Sequence, residues 1–365
     1  MKTCDILIVE DDENALDTWK RDILEFNRSE NQPFKYDPIY ASNRNDALKI
    51  LSKVRINCAV VDLRLPQTGE IADLANNATG NDVLTQLLVE VGVPAIVYSG
   101  YPNEVSDEVK LSNIKVVQKT GGGGAQILED FASQAGLMSA MQEVRVRISK
   151  ETAMLFNRSI WNRWKNSWRN DDQGVTAGII ARQTASHIAD SMSLAPSSYH
   201  PDEFYIIPAL YADRFDTGDI FKIDDAIQVV MTPRCNMENA IPQHILLCVC
   251  KPVPNWDEIG ALLQGDQKKK ESANKKLNAL ATQGFATSSH FLPPCNGQGP
   301  WLVDFQELRS LPTERLKKLL ANRLASVAPH FVPNLVQRYA AYLGRIGQPN
   351  IDVNALGLMC GAKPN

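Results

Sequence analysis

Along the first third of the chain, short apolar runs alternate with segments whose apolar residues recur every three or four positions. The runs lie at residues 6–9, 36–41, 58–62, 95–99 and 115–118. Between them, Leu16, Trp19, Ile23 and Phe26 mark one helical stripe, and Ala47, Leu48 and Leu51 a second. Val83, Leu84, Leu87 and Leu88 mark a third, and Ile127, Leu128 and Phe131 a last one. Strands that are apolar at nearly every position are buried on both faces, which is the condition of a parallel sheet wrapped by helices. The pattern predicts a doubly wound α/β domain with five parallel strands over residues 1–136.

The pattern then changes. From Ala125 to about Trp168 there is no proline and only one glycine, Gly136. Leu137, Met141, Val144, Ile148 and Leu155 follow at roughly heptad spacing, interrupted by Glu151. A helical connector is expected over 137–170, either pairing with a second copy or packing on its own second domain. Trp161, Trp164 and Trp168, set among Arg158, Arg163, Lys165 and Arg169, read as core positions ahead of a nucleic-acid surface. Residues 171–365 open with a helical pattern and then become strand-rich at 203–208, 218–223, 226–233, 244–252, 287–294 and 300–305. Short strands bounded by turn residues predict an α+β domain with a small β-barrel. The stretch 312–344 is expected to be helical, and Lys268–Lys270 with Lys275 and Lys276 to form a solvated face.

Several strands of the first domain end on polar residues. The run ILIV passes into Glu10, Asp11 and Asp12; the third strand reaches Asp62, the fourth Ser99, and Lys119 follows the fifth. In a parallel sheet these strand ends share one edge, where ligands bind. Adjacent carboxylates repel, so a cation is expected between them, and carboxylate oxygens suit Mg²⁺. The segments VEDD (9–12), VVDLRLP (60–66), PAIVYSGYP (94–102) and VVQKT (116–120) together closely resemble the receiver domain of two-component response regulators. The resemblance covers about the first third of the chain and implies a flavodoxin-like fold. It also implies that Asp62 accepts a phosphoryl group from a sensor histidine kinase. Glu10 and Asp11 would form the acidic pair. Asp11, Asp62 and the Arg64 carbonyl would ligate Mg²⁺, while Ser99 and Lys119 would meet the phosphate.

Three features depart from that pattern. Residues 67–79 form an insertion, Val116 stands where many receivers carry a switching aromatic residue, and Gly121–Gly124 replace the common proline after the lysine. The glycines suggest a joint.

Composition narrows the rest. Charge is split, with a net −8 over residues 1–136 and +4 over 137–365, as expected of separate units. The second unit is too weakly basic to point to nucleic acid by charge. Seven scattered cysteines without a CxxC argue against a disulfide framework or a zinc site. No apolar run spans a bilayer and the N-terminal residues lack a secretory pattern, so a cytoplasmic protein is expected. There is no helix-turn-helix with a basic reading helix, and no P-loop, GxSxG or HExxH. The reading is a response regulator whose atypical output domain binds an unknown protein partner. Two alternatives stay open. One is a nuclease or hydrolase effector, with Arg234, His244 and His290 as candidates and a faint resemblance to the SH3-like barrel of toxin endoribonucleases. The other is a phosphate sink competing for a kinase.

Overall fold

The structure is a computed structural model and describes residues 3–66, 79–119, 123–168, 172–193, 198–209, 211–239, 242–345 and 350–360. The chain forms two compact units, residues 1–195 and 196–365. Residues 67–78 of the insertion and the first two glycines of the run, Gly121 and Gly122, lie outside the described residues.

In the first unit, β1 (Thr3–Val9), β2 (Lys35–Ala41), β3 (Cys58–Val61), β4 (Ala95–Ser99) and β5 (Lys115–Gln118) make one parallel sheet in the order β2-β1-β3-β4-β5. Its helices are α1 (Glu13–Arg28), α2 (Arg44–Lys53), α3 (Gly80–Gln86), α4 (Asp107–Lys110) and α5 (Gly123–Ser133). Side-chain alternation divides the core. Leu7, Val9, Ala59, Val61 and Val97 pack with Ala47, Val83, Leu84 and Val109 on one face. Ile6, Ile8, Val60 and Ile96 pack with Trp19, Ile23, Ile127 and Phe131 on the other. Each such side chain contributes about 1.5–3 kcal/mol on burial, so both helical layers are fastened to one sheet.

Local signals set the helix ends. Asp12 caps α1, its Oδ1 accepting the Ala15 N–H at 2.8 Å. Asn43 does the same for α2 through Asp46 N–H. Helix α3 runs on through a π-helical turn, Leu87–Val91, and stops at Gly92, which takes a left-handed φ of 58°. Glycine adopts that conformation without a Cβ clash.

Over the residues expected to connect the units, the chain forms α6 (Ala135–Leu155), a π turn at Phe156–Ile160, α7 (Trp161–Arg163) and a second π turn at Trp164–Trp168. The contacts continue through α8 (Gln173–Ser193), which folds back on it: His187 Nε2 lies 3.2 Å from Glu151, and Arg163 Nη1 donates to Gln183 Oε1 at 3.1 Å. Sequence places a boundary near 170; compactness places one at 195. Leu155, Ile160 and Trp168 are buried together, whereas Trp161 and Trp164 stack on each other at 5.8 Å and stay exposed. No helix among the described residues is long and apolar enough to cross a membrane.

The second unit is an antiparallel sheet of seven strands. They are β6 (Tyr205–Ile206), β7 (Asp219–Ile223), β8 (Ala226–Val230), β9 (His244–Pro252), β10 (Ser289–Leu292), β11 (Trp301–Pro312) and β12 (Arg323–Val327), in the order β10-β11-β9-β8-β7-β12-β6. Where a small barrel is expected, the pairings among the described residues leave β6 and β10 as unjoined end strands. Strand β11 runs further than expected, through a register shift between Asp304 and Leu308. Helices α9 (Arg234–Asn239), α10 (Trp256–Leu263), α11 (Gln267–Ala281), α12 (Thr313–Lys317), α13 (Val332–Leu343) and α14 (Val353–Met359) complete the unit. Adjacent strand residues again serve opposite faces. Ile220, Val229 and Cys248 pack toward Leu335 of α13, and Phe221, Val230 and Leu247 toward Leu316 of α12.

The stretch 312–344 is not helical throughout, because β12 interrupts it. Asp219 on β7 is buried and fixes that strand: it accepts from Arg323 Nη1 at 2.9 Å and from the Ser326 hydroxyl. A buried carboxylate needs such partners, and the register shift between Arg323 and Ala325 lets β12 supply both.

Candidate active site

Strand β1 ends at Val9, and the chain emerges at the carboxyl edge as Glu10 and Asp11. Strand β3 pairs with β1 through Val9↔Val61, which brings Asp62 beside Glu10. Asp62 N–H donates to the Val9 carbonyl at 2.9 Å. Glu10, Asp11 and Asp62 each present a carboxylate oxygen within 4.8 Å of the others. Asp12 is not part of this group: its carboxylate is committed to capping α1. Lys119 arrives from beyond β5, its N–H held by the Ser99 carbonyl at 2.9 Å. Its Nζ sits 2.5 Å from Asp62 Oδ2 and 2.7 Å from Glu10 Oε2.

The electrostatics follow from burial. Glu10 is 2% exposed and Asp62 7% exposed. Burial pushes the Glu10 carboxyl up to about 7, only partly offset by the attraction of Lys119. Burial also raises Asp11. For Lys119, burial acts downward, but Glu10 and Asp62 outweigh it and hold the ammonium above its usual range. One ammonium thus faces three carboxylates, and the set as it stands is under-neutralised. Hard carboxylate oxygens this close, short of positive charge, suit a divalent cation such as Mg²⁺.

The other expected site residues take distinct places. Ser99 is fully buried at the end of β4, and its hydroxyl accepts the Tyr101 N–H at 3.2 Å. The Arg64 side chain forms an ion pair with Glu104, with its guanidinium carbon 3.3 Å above the Tyr101 ring. Val116 is on β5 and partly exposed.

Gly80 is a site residue that the sequence reading missed. A Cβ there would strike the backbone of Asp62 and Leu63. Gly80 N–H donates to the Leu63 carbonyl at 2.9 Å, so the start of α3 presses directly on the acceptor loop. The glycine in GNDVL was visible, but its meaning depends on a contact with Asp62 and Leu63, far back along the chain.

Strand order β2-β1-β3-β4-β5 is that of flavodoxin and CheY. The first unit has a flavodoxin-like fold. No protein-family model matches the sequence, and no curated protein matches it. Among solved structures, the CheY-like receiver domain from Methanospirillum hungatei is similar, at 22% identity, covering 38% of this chain and 99% of that one with a TM-score of 0.29. The receiver domain from Methylobacillus flagellatus is also 22% identical, over 37% and 99%, with a TM-score of 0.28. The response regulator TrrA from Thermotoga maritima, in complex with Mg²⁺–BeF, is 20% identical over 37% and 99%, with a TM-score of 0.28.

The nuclease candidates of the second unit are not joined. Arg234 pairs with Asp216 at 2.7 Å, His244 is exposed at the start of β9, and His290 is buried on β10 opposite Val303. No hydrogen bond or ion pair connects any two of them among the described residues. Cys235 is exposed and Cys295 buried, and the acidic group of the first unit is the sole metal-type cluster among the described residues.

Proposed function

We propose that this chain is a two-component response regulator that takes a phosphoryl group on Asp62 from a sensor histidine kinase. The observation that carries this is a nearly buried carboxylate, Asp62, held by Lys119 between two further acids. A carboxylate oxygen of Asp62 attacks phosphorus as the bond to the donor nitrogen breaks, leaving an acyl phosphate. Asp11 and Asp62, with the Arg64 carbonyl, would hold Mg²⁺, and Glu10 would add charge behind them. The ion, when bound, supplies charge stabilisation for the transferring oxygens. Lys119 stays within reach of the modified carboxylate and pairs with the added charge. Ser99 offers a hydroxyl at the same edge, at present engaged with Tyr101 N–H.

Output passes through the connector to the second unit, for which we favour binding of a protein partner. A second copy of the chain is the partner assigned to the connector, because Leu137, Met141, Val144 and Ile148 form an exposed apolar row on α6. The deciding experiment is incubation with Mg²⁺ and a small phosphodonor, followed by intact-mass measurement. One added phosphoryl group, absent in Asp62→Asn, is expected. Equal labelling of both proteins removes the assignment.

A further inference from the structure

Of the three tryptophans expected in a core, only Trp168 is there. Leu155, Ile160 and Trp168 pack with Ile179 and Ile180 of α8, which closes one side of the segment 155–168. Three rings are left outside: Phe156 is 46% exposed, Trp161 50% and Trp164 37%. They form a row. Phe156 and Trp161 lie 6.0 Å apart between ring centroids, and Trp161 and Trp164 5.8 Å apart with their planes 20° from parallel.

The backbone makes this row. In an α-helix, residues five apart point about 140° away from each other. The π turn at Phe156–Ile160 removes much of that angle, because the Trp161 N–H donates to the Phe156 carbonyl and draws one residue over the other. The Trp164 N–H then donates to the Trp161 carbonyl across α7. Apolar rings grouped in water mark a docking surface, and π turns are frequent at functional sites.

The side chains among the rings select the partner. Exposed between and beside them are Asn157, Arg158, Asn162, Arg163, Lys165 and Asn166. None is aliphatic, and residues 152–170 contain no Asp or Glu. Arg158 and Lys165 stand outside every ion pair among the described residues. Insertion into lipid would strip water from these amides and cations. Pairing two copies about a two-fold axis would set like charges face to face. A single-stranded nucleic acid matches all three chemistries: bases stack on the rings, phosphates pair with the cations, and amides bond to base edges.

We propose that the row Phe156–Trp161–Trp164, with Arg158, Arg163 and Lys165, binds single-stranded nucleic acid by base stacking and phosphate pairing. The surface shares no residue with the Asp62 cluster and does not depend on the phosphorylation reading.

The test titrates full-length protein into a fluorescein-labelled oligothymidylate of about twelve nucleotides, within the site size of such surfaces, and follows anisotropy. An oligouridylate separates RNA from DNA; a duplex and an abasic strand of the same length are the controls. The wild type should bind a base-bearing single strand more tightly than either control. Three cations at roughly 0.7 each should give log K against log salt a slope of about −2. Trp161→Ala should weaken binding about tenfold with the slope unchanged, since it removes a stacking surface and no charge. Trp161→Phe should keep most of the affinity. Lys165→Gln should weaken binding less and flatten the slope by roughly 0.7. An unchanged melting temperature checks that Trp161→Ala is folded; if it is not, Trp164→Ala takes its place. No binding at about 100 µM protein in low salt overturns the proposal. So does equal affinity for the duplex or the abasic strand, or wild-type affinity in Trp161→Ala. A blue shift of tryptophan emission on phosphatidylserine vesicles that the oligonucleotide does not compete away assigns the rings to lipid and overturns it as well.

Discussion

Lys119 is the only cation in contact with Glu10 and Asp62 among the described residues. Removing it leaves two buried carboxylates unpaired, a loss on the order of 3 kcal/mol. Lys119→Ala should therefore lower the melting temperature, and Mg²⁺ should recover more of the loss than it adds to the wild type. A magnesium response identical in the two proteins would refute shared neutralisation. Asp11→Asn should shrink that response, since it removes one anionic ligand. Gly80 is a steric requirement of a different kind. The atoms a Cβ would meet are backbone atoms of Asp62 and Leu63, which cannot rotate away. Gly80→Ala should cost about 2–4 kcal/mol and slow phosphorylation of Asp62, read by denaturant midpoint and by initial labelling rate. Normal values for both would mean that the loop yields freely.

Helix α6 is tied to the rest of its unit by Arg145, whose Nη2 donates to the carbonyls of Val91 and Gly92 at 2.5 and 2.6 Å. These carbonyls close the π turn after α3, so one guanidinium joins the connector to the helix that starts at Gly80. Arg145→Ala should raise hydrogen-exchange rates at the end of α3 and along α6 while leaving β1 and β3 protected. Uniform exchange across the unit would deny Arg145 that role. The exposed row on the same helix leads to a second expectation: Val144→Glu should shift sedimentation toward monomer if two copies pair there, and an unchanged, concentration-dependent profile would exclude this face. Much of the first unit was legible from sequence, because its strands are buried on both faces and carry their own signal. Asp62, Lys119 and the acids were legible for a related reason: charged residues directly after apolar strands have few structural explanations. Strand β12 was not legible. Its five residues lie between helical leucines at 316, 319 and 320 and the stripe of α13, and the partners that they pair with, on β7 with its Asp219, are far upstream. Asp12 directly follows the acidic pair in sequence, and only the Ala15 N–H contact shows that it is a cap.

Across the whole molecule, burial perturbs tyrosines and cysteines in both units. At the strand ends of the first it also raises the acids Glu10 and Asp11. In the second, His290 is a base kept neutral by burial and by Arg338, which gives stability a definite dependence on acidity. Its folded value, about 3, lies below the ordinary 6.5, so the unfolded chain takes up a proton that the folded chain refuses. Between those values the unfolded state binds more protons. Stability therefore falls as pH drops below about 6.5, by up to about 1.4 kcal/mol per pH unit, until folded His290 also titrates near 3. The carboxylates of the chain add their own acid dependence, so the informative quantity is a difference between two proteins. His290→Phe keeps an aromatic ring and removes the titration. Urea denaturation of both proteins from pH 7 to pH 4 should give a wild-type curve that descends more steeply, with the mutant gaining relative stability at each lower pH. Parallel curves would show that His290 takes up its proton in the folded state as readily as in water.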